Sequence, residues 1–159
     1  MIRGIHHIAL HTPNFERMLA FYRDVLGFTL ISDITWADSE VIDSTIGVPG
    51  SAARAAMFRA GNCHLELFEY SSPAPRGGEP LRPNDHGYTH FCLDVVDIDA
   101  EYERLRAAGM TFCREPVNFG EIKAVYGKDP DGNIIEIQET SPTHDSDLSK
   151  LPHVKLDIA

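Results

Sequence analysis

The chain contains two passages with the same order of elements, and this internal repeat limits the fold more than any other feature. His7 and His90 lie 83 positions apart, Gly27 and Gly109 lie 82 apart, and Glu66 and Glu136 lie 70 apart. The last offset is shorter because the first copy carries an extra stretch at 37–50. Each copy opens on a short strand with a histidine, continues into a helix ended by glycine, and closes on a strand with a glutamate. Each repeat should therefore be one small supersecondary unit, with a histidine in its first strand and a glutamate in its last.

The local signals support that reading. Residues 4–10 (GIHHIAL) read as a strand, followed by Thr12 as N-cap and Pro13 at the first helical position. Phe15, Met18, Leu19, Tyr22 and Leu26, spaced by three and four, form one apolar stripe, and Gly27 closes the helix in the left-handed conformation. FTLISDITW follows as a strand, then the irregular stretch at 37–50, then ARAAMFRA and CHLELFEY joined at Gly61-Asn62 as a hairpin. Residues 71–87 hold four prolines and three glycines and read as a connector. The second copy runs through YTHFCLDV, an Asp97 N-cap, a helix bearing Ile98, Tyr102 and Leu105, Gly109, and then EIKAVYG and NIIEIQE across a Lys128–Gly132 turn. The expected division is a first module at 1–70, the connector at 71–87, a second module at 88–140 and a tail at 141–159. Disorder is the default for the tail, with VKLDIA available to extend a sheet edge or cover a partner subunit.

Composition excludes several functions. A net charge of −10 offers nothing basic to replace phosphate counterions, so no nucleic-acid partner is expected. Cys63, Cys92 and Cys113 are odd in number and lack CxxC spacing, which suggests neither a disulfide scaffold nor a thiolate metal site. The N-terminus has no signal-peptide apolar region and no stretch is long enough to span a bilayer, so no membrane partner and a cytoplasmic location are expected.

The period-two rule of strands assigns faces to the four repeated residues. Leu65 and Leu67 flank Glu66, and Ile135 and Ile137 flank Glu136, so these neighbours form an apolar face under the helix while the glutamates face away. Ile8 and Leu10 do the same beside His7, as do Phe91 and Leu93 beside His90. His7, Glu66, His90 and Glu136 then lie on the concave faces of two sheets. A carboxylate in a cavity is costly unless paired, protonated or metal-bound. Two imidazoles and two carboxylates suit one divalent ion: zinc, nickel, cobalt, manganese or ferrous iron. Taken singly, each residue is also readable as a hydrogen-bonded core histidine or a solubility charge; the repeat favours the metal.

HHIALHTPNFERMLAFYRDVLGF, LELFEY, YTHFCLDVVDIDAEYERLRAAG and DPDGNIIEIQE, covering most of residues 4–139, resemble the vicinal oxygen chelate superfamily. This superfamily includes glyoxalase I, methylmalonyl-CoA epimerase, extradiol dioxygenases, and fosfomycin- and bleomycin-resistance proteins. The resemblance implies an α+β fold of two βαβββ modules forming a half-open mixed β-barrel around a metal, with helices outside, in a homodimer. It also implies a divalent-metal-dependent isomerase, epimerase or lyase acting on a small carbonyl compound. Such an enzyme abstracts a proton next to the carbonyl and holds a metal-bound enolate, with Glu136 and Glu66 as ligands that double as bases. Glu66 matches the fourth ligand of the glyoxalase and epimerase branches. A ferrous extradiol-type dioxygenase, needing only His7, His90 and Glu136, is the alternative, followed by a non-catalytic antibiotic-binding protein.

Other residues have secondary readings. His11 and His64 share faces with His7 and Glu66 and are candidates to support the site, whereas His6 points away from His7 and receives no ligand role. Glu40 reads as a loop charge, although an epimerase-like second base would fit there. Trp36, Met57, Phe58, Phe119 and Tyr126 are available to line a substrate pocket, or to sit in the core. Arg54, Arg59, Arg76, Arg82, Arg114 and Lys123 are the cations available to an anionic substrate.

Overall fold

A computed structural model of the protein describes Ile2 and residues 4–151. VKLDIA at 154–159, expected to extend a sheet edge or cover a partner subunit, lies outside the described residues. The chain divides into two compact units, one of Gly4–Glu79 and one from Pro80 onward.

In the first unit, β1 (His7–His11), β2 (Thr29–Trp36), β3 (Ala52–Ala60) and β4 (Cys63–Ser72) form an open sheet in the order β1-β4-β3-β2. β1 runs parallel to β4, and the other pairs are antiparallel. Parallel strands need a long crossover, which here includes α1 (Phe15–Ala20) and a π-helical turn at Phe21–Val25. Phe15, Met18, Leu19, Phe21 and Tyr22 bury one side of that crossover, and Leu65, Leu67 and Phe58 are buried with them. Phe58 therefore belongs to the core, its ring 6.2 Å from that of Tyr22, and lines no pocket. Gly27 at φ 74° supports the left-handed turn into β2.

Three local expectations change. The helix N-cap is Asn14, whose side chain accepts from Arg17 N, and not Thr12. The buried Thr12 instead accepts from Asn14 N and donates its own backbone N–H to Phe68 O, which ties the helix entry to β4. The stretch at 37–50 is not irregular throughout: it contains α2 (Glu40–Ile46), capped by Ser39 and closed by Gly47 at φ 71°. β4 also runs to Ser72, two residues past the expected module end.

The second unit repeats the pattern with β5 (His90–Asp94), α3 (Ile98–Ala107), β6 (Thr111–Phe112), β7 (Val117–Asn118), β8 (Ile122–Lys128) and β9 (Ile134–Thr140). The sheet order is β5-β9-β8-β6, with β7 also paired to β8, and β5 is parallel to β9. Asp97 caps α3 as expected, accepting from Ala100 N. Ile98, Tyr102 and Leu105 pack over Ile135 and Ile137, all of them buried. The Asp129–Asn133 turn closes on the buried Asp129, which accepts from Asp131 N, Asn133 N and Asn133 Nδ2. The fold is α+β, made of two mixed sheets, neither closed into a barrel. The described part of the tail, up to Leu151, carries local secondary structure. It forms turns and a 3-10 turn at Leu148–Lys150, with Lys150 Nζ donating to Thr143 O and His144 O.

Candidate metal centre

The repeat extends to strand register. In the first unit His7 lies opposite His64, and Glu66 is two residues further along β4. In the second, His90 lies opposite Ile134, and Glu136 is two residues further along β9. A two-residue step keeps both side chains on one face, so each parallel strand pair presents a histidine diagonal to a glutamate. His7 Nε2 stands 3.5 Å from Glu66 Oε2, and His90 Nε2 stands 3.3 Å from Glu136 Oε2. Among the described residues, no three His, Cys, Asp or Glu side chains gather as a metal site. The predicted four thus appear as two pairs, one within each unit.

Each pair fits half of a coordination sphere. Ligands about 2.0–2.1 Å from an ion, subtending 90–110°, lie roughly 2.9–3.4 Å apart. The His90 pair falls inside that span and the His7 pair just outside it. Both separations exceed the usual N–H···O length of about 2.7–3.2 Å, so a direct hydrogen bond does not account for either. The glutamate side chains keep 24% and 16% of their surface, enough to meet an ion or a substrate.

The two faces differ beyond the ligands. In the first unit, Phe68 and Tyr70 follow Glu66 on the same face, and Trp36 stands edge-on to both at 5.9 Å, with His11 6.1 Å from Tyr70. Trp36 Nε1 donates to the buried Ser51 Oγ, which donates to Asp43 Oδ1. Bonds from the Ser51 hydroxyl, the Ser51 N–H and the Gly50 N–H hold the Asp43 carboxyl below the usual aspartate range. The extra stretch that carries α2 therefore anchors Trp36. Burial, and secondarily the Glu66 charge, push the Tyr70 phenol up. In the second unit Gln138 and Thr140 take the places of Phe68 and Tyr70, and Gln138 Nε2 donates to Thr140 Oγ1. Tyr126, opposite Glu136 on β8, brings its hydroxyl within 3.4 Å of His90 Nε2. Loss of water around it, then Glu136 and Cys92, push the Tyr126 phenol up, which keeps it protonated at neutral pH. Cys92 retains accessible surface, but surrounding protein withdraws water from its sulfur and Glu136 adds charge, so the thiol is pushed up to about 12.

The remaining sequence candidates separate cleanly. Met57 lies opposite Glu66 on β3 and is half-buried, while Phe119 is exposed. Glu40 is an exposed first residue of α2. Arg54 is not free for substrate: it pairs with Asp33 and Glu16 and covers the Phe15 ring at 4.1 Å. Arg82 pairs with Asp85, and Lys123 with Asp99. His64 stacks on His6 at 4.8 Å, and its Nδ1 lies 3.1 Å from His6 O. His6 does not turn away as the alternation rule suggested. It precedes β1, and its Nδ1 lies 2.9 Å from His7 Nδ1.

Sequence reading overlooked a second repeated glutamate. Glu69 accepts from Phe15 N at the start of α1, and Glu139 accepts from Asp97 N and Ile98 N at the start of α3. Each lies three residues after the glutamate that faces the histidine and hence on the opposite face. The signal was present as E-x-x-E in both closing strands, ELFE and EIQE.

Comparisons with known proteins agree with this architecture. The chain is 30% identical over 141 residues to the Escherichia coli protein YaeR, covering 87% of this chain and 97% of that one. It is 27% identical to a lactoylglutathione lyase of Haemophilus influenzae, covering 87% and 94%. It is 21% identical to the human mitochondrial methylmalonyl-CoA epimerase, covering 85% and 73%. A crystal structure of a glyoxalase family protein from Bacillus cereus shares the fold with a TM-score of 0.80 at 19% identity, covering 89% of this chain and 96% of that one. Residues 4–137 match the family itself, and the protein belongs to the glyoxalase/bleomycin resistance protein/dioxygenase superfamily.

Proposed function

We propose that this protein is a divalent-metal-dependent lyase or isomerase that moves a proton next to the carbonyl of a small substrate, with His7, Glu66, His90 and Glu136 as ligands. The observation that carries this reading is the duplicated His–Glu diagonal, whose donor atoms lie 3.5 and 3.3 Å apart. Enzymes among the relatives, a lactoylglutathione lyase and a methylmalonyl-CoA epimerase, support the same branch of chemistry. The donor set accepts zinc, nickel, cobalt, manganese or ferrous iron. A bound ion of this kind supplies a Lewis acid that polarises the carbonyl and acidifies the neighbouring C–H.

The protein's own groups do the rest. Glu66 and Glu136 are the bases, each able to act once it loosens from the ion as substrate binds: one carboxylate takes the proton from carbon and returns it to the adjacent carbon, or the other carboxylate delivers a proton to the opposite face. Glu66 distinguishes this reading from a dioxygenase, which needs only three ligands. The Tyr126 phenol, held protonated, is placed to donate to a substrate oxygen. The aromatic group of Trp36, Phe68 and Tyr70 offers apolar contact on the face that carries Glu66.

Metal analysis of protein purified without added metal, followed by solvent deuterium exchange into carbonyl substrates, tests the proposal. One ion per chain and exchange abolished by Glu66→Gln or Glu136→Gln are expected. Metal content unaffected by alanine at any of the four ligands would overturn it. Oxygen consumption with a catechol under iron(II), undiminished by Glu66→Gln, would replace it with the dioxygenase reading.

A further inference from the structure

The residue before each site histidine makes the same contact in both units. β1 begins at His7 and β5 at His90, so His6 and Thr89 lie just outside their strands, where the pleat does not dictate direction. Both side chains fold onto the neighbouring ring. His6 Nδ1 lies 2.9 Å from His7 Nδ1, and Thr89 Oγ1 lies 3.1 Å from His90 Nδ1. In both units Nδ1 meets this neighbour while Nε2 faces the glutamate.

A neutral imidazole carries one N–H, and the hydrogen bond made by one ring nitrogen decides what the other can offer. Two Nδ1 atoms 2.9 Å apart need one hydrogen between them. If His7 provides it, His7 Nε2 keeps its lone pair for a cation; if His6 provides it, the hydrogen of His7 sits on Nε2 and blocks coordination. The His6 ring is itself stacked on the His64 ring, 4.8 Å away and 22° from parallel, which keeps its Nδ1 directed at His7. The same choice applies to Thr89 and His90: with the hydroxyl as acceptor, His90 carries its hydrogen on Nδ1 and Nε2 keeps its lone pair; with the hydroxyl as donor, the hydrogen sits on Nε2.

We propose that His6 and Thr89 are positioning residues that hold His7 and His90 in the Nδ1–H tautomer and so keep Nε2 open to the metal. The proposal rests on the ligand assignment above. Groups that hydrogen-bond the far nitrogen of a ligating histidine typically contribute about 10–100-fold in metal affinity.

The test uses full-length, metal-stripped protein, zinc(II) alone as the probe in competition with a chromophoric chelator, and long-range 15N–1H NMR of the ring nitrogens at pH 8. Thr89→Val keeps the shape and removes the oxygen; His6→Ala removes the acceptor; Thr89→Ser restores the hydroxyl. Each of the first two should weaken zinc binding about 10–100-fold, with Thr89→Ser close to the unaltered protein. The apoprotein should show Nδ1–H rings at His7 and His90, and each variant should shift its own ring towards Nε2–H. Unchanged zinc affinity in both variants, or Nε2–H rings in the unaltered apoprotein, would overturn the proposal alone. No zinc uptake by the unaltered protein would overturn the ligand assignment, and the proposal with it.

Discussion

The two glutamates of EIQE in β9 should separate metal binding from stability. Glu139 accepts from Asp97 N at 3.3 Å and Ile98 N at 3.1 Å, two of the backbone donors that a helix start leaves without intrahelical partners. A bond to a charged group contributes about 1.5–3 kcal/mol when well made. These two are long and half-exposed, so about 1 kcal/mol each is the reasonable share, and Glu139→Ala should cost about 2 kcal/mol. For a chain of this length that corresponds to a Tm fall of about 4–8 °C. Glu136→Gln should cause no such fall. Its carboxylate is 16% exposed, faces His90 at 3.3 Å and stands beside Tyr126 and Cys92, so an amide of the same shape removes a partly buried charge and should leave the metal-free Tm little changed. Thermal unfolding of stripped protein with and without zinc reads both effects. Zinc at about 100 times its Kd should stabilise the unaltered protein by about 2.7 kcal/mol. Glu139→Ala should keep that increment from its lower baseline, and Glu136→Gln should lose it. Loss of the zinc increment in Glu139→Ala, or a metal-free Tm lower in Glu136→Gln than in Glu139→Ala, would refute the assignment of faces.

Two further outcomes follow from packing and charge. At Gly127 a Cβ would stand 2.5 Å from Met110 Cε and 2.8 Å from the Phe112 ring, which covers the glycine from the neighbouring strand. Gly127→Ala should therefore cost about 1–3 kcal/mol in urea unfolding, and Met110→Ala should relieve only the methionine part of the clash. The Arg54 guanidinium, donating two bonds to Asp33, holds that carboxyl below its usual range. Because the unfolded state then binds more protons, this stability is present above about pH 4 and is lost as pH falls through the lowered value. Arg54→Leu should flatten the acid limb of a urea-midpoint profile between pH 2 and 5, and an unchanged limb would count against the pairing.

The sequence alone determined the repeat, the direction faced by Glu66 and Glu136, the Asp97 cap, the hairpin at Gly61 and the turn at Asp129. All of these depend on covalent geometry within a few residues: the period-two pleat, a capping side chain, a glycine at positive φ. Tertiary structure decided what depends on partners distant in the chain. Asn14 rather than Thr12 caps α1, because Thr12 sits where its backbone bonds Phe68 on β4. The stretch at 37–50 holds a helix whose Asp43, through Ser51, anchors Trp36, a link no periodicity reveals. Phe58 falls in the core because β3 pairs with β4 so that it lies opposite Leu65, one residue out of phase with Met57 and Glu66. His6 reaches His7 because it lies just before the first strand residue, where alternation stops applying. The diagonal that places each histidine beside its glutamate is a property of parallel pairing between strands more than forty residues apart. A sequence names the residues on each face, but only the register of that pairing sets which of them come within reach of one another.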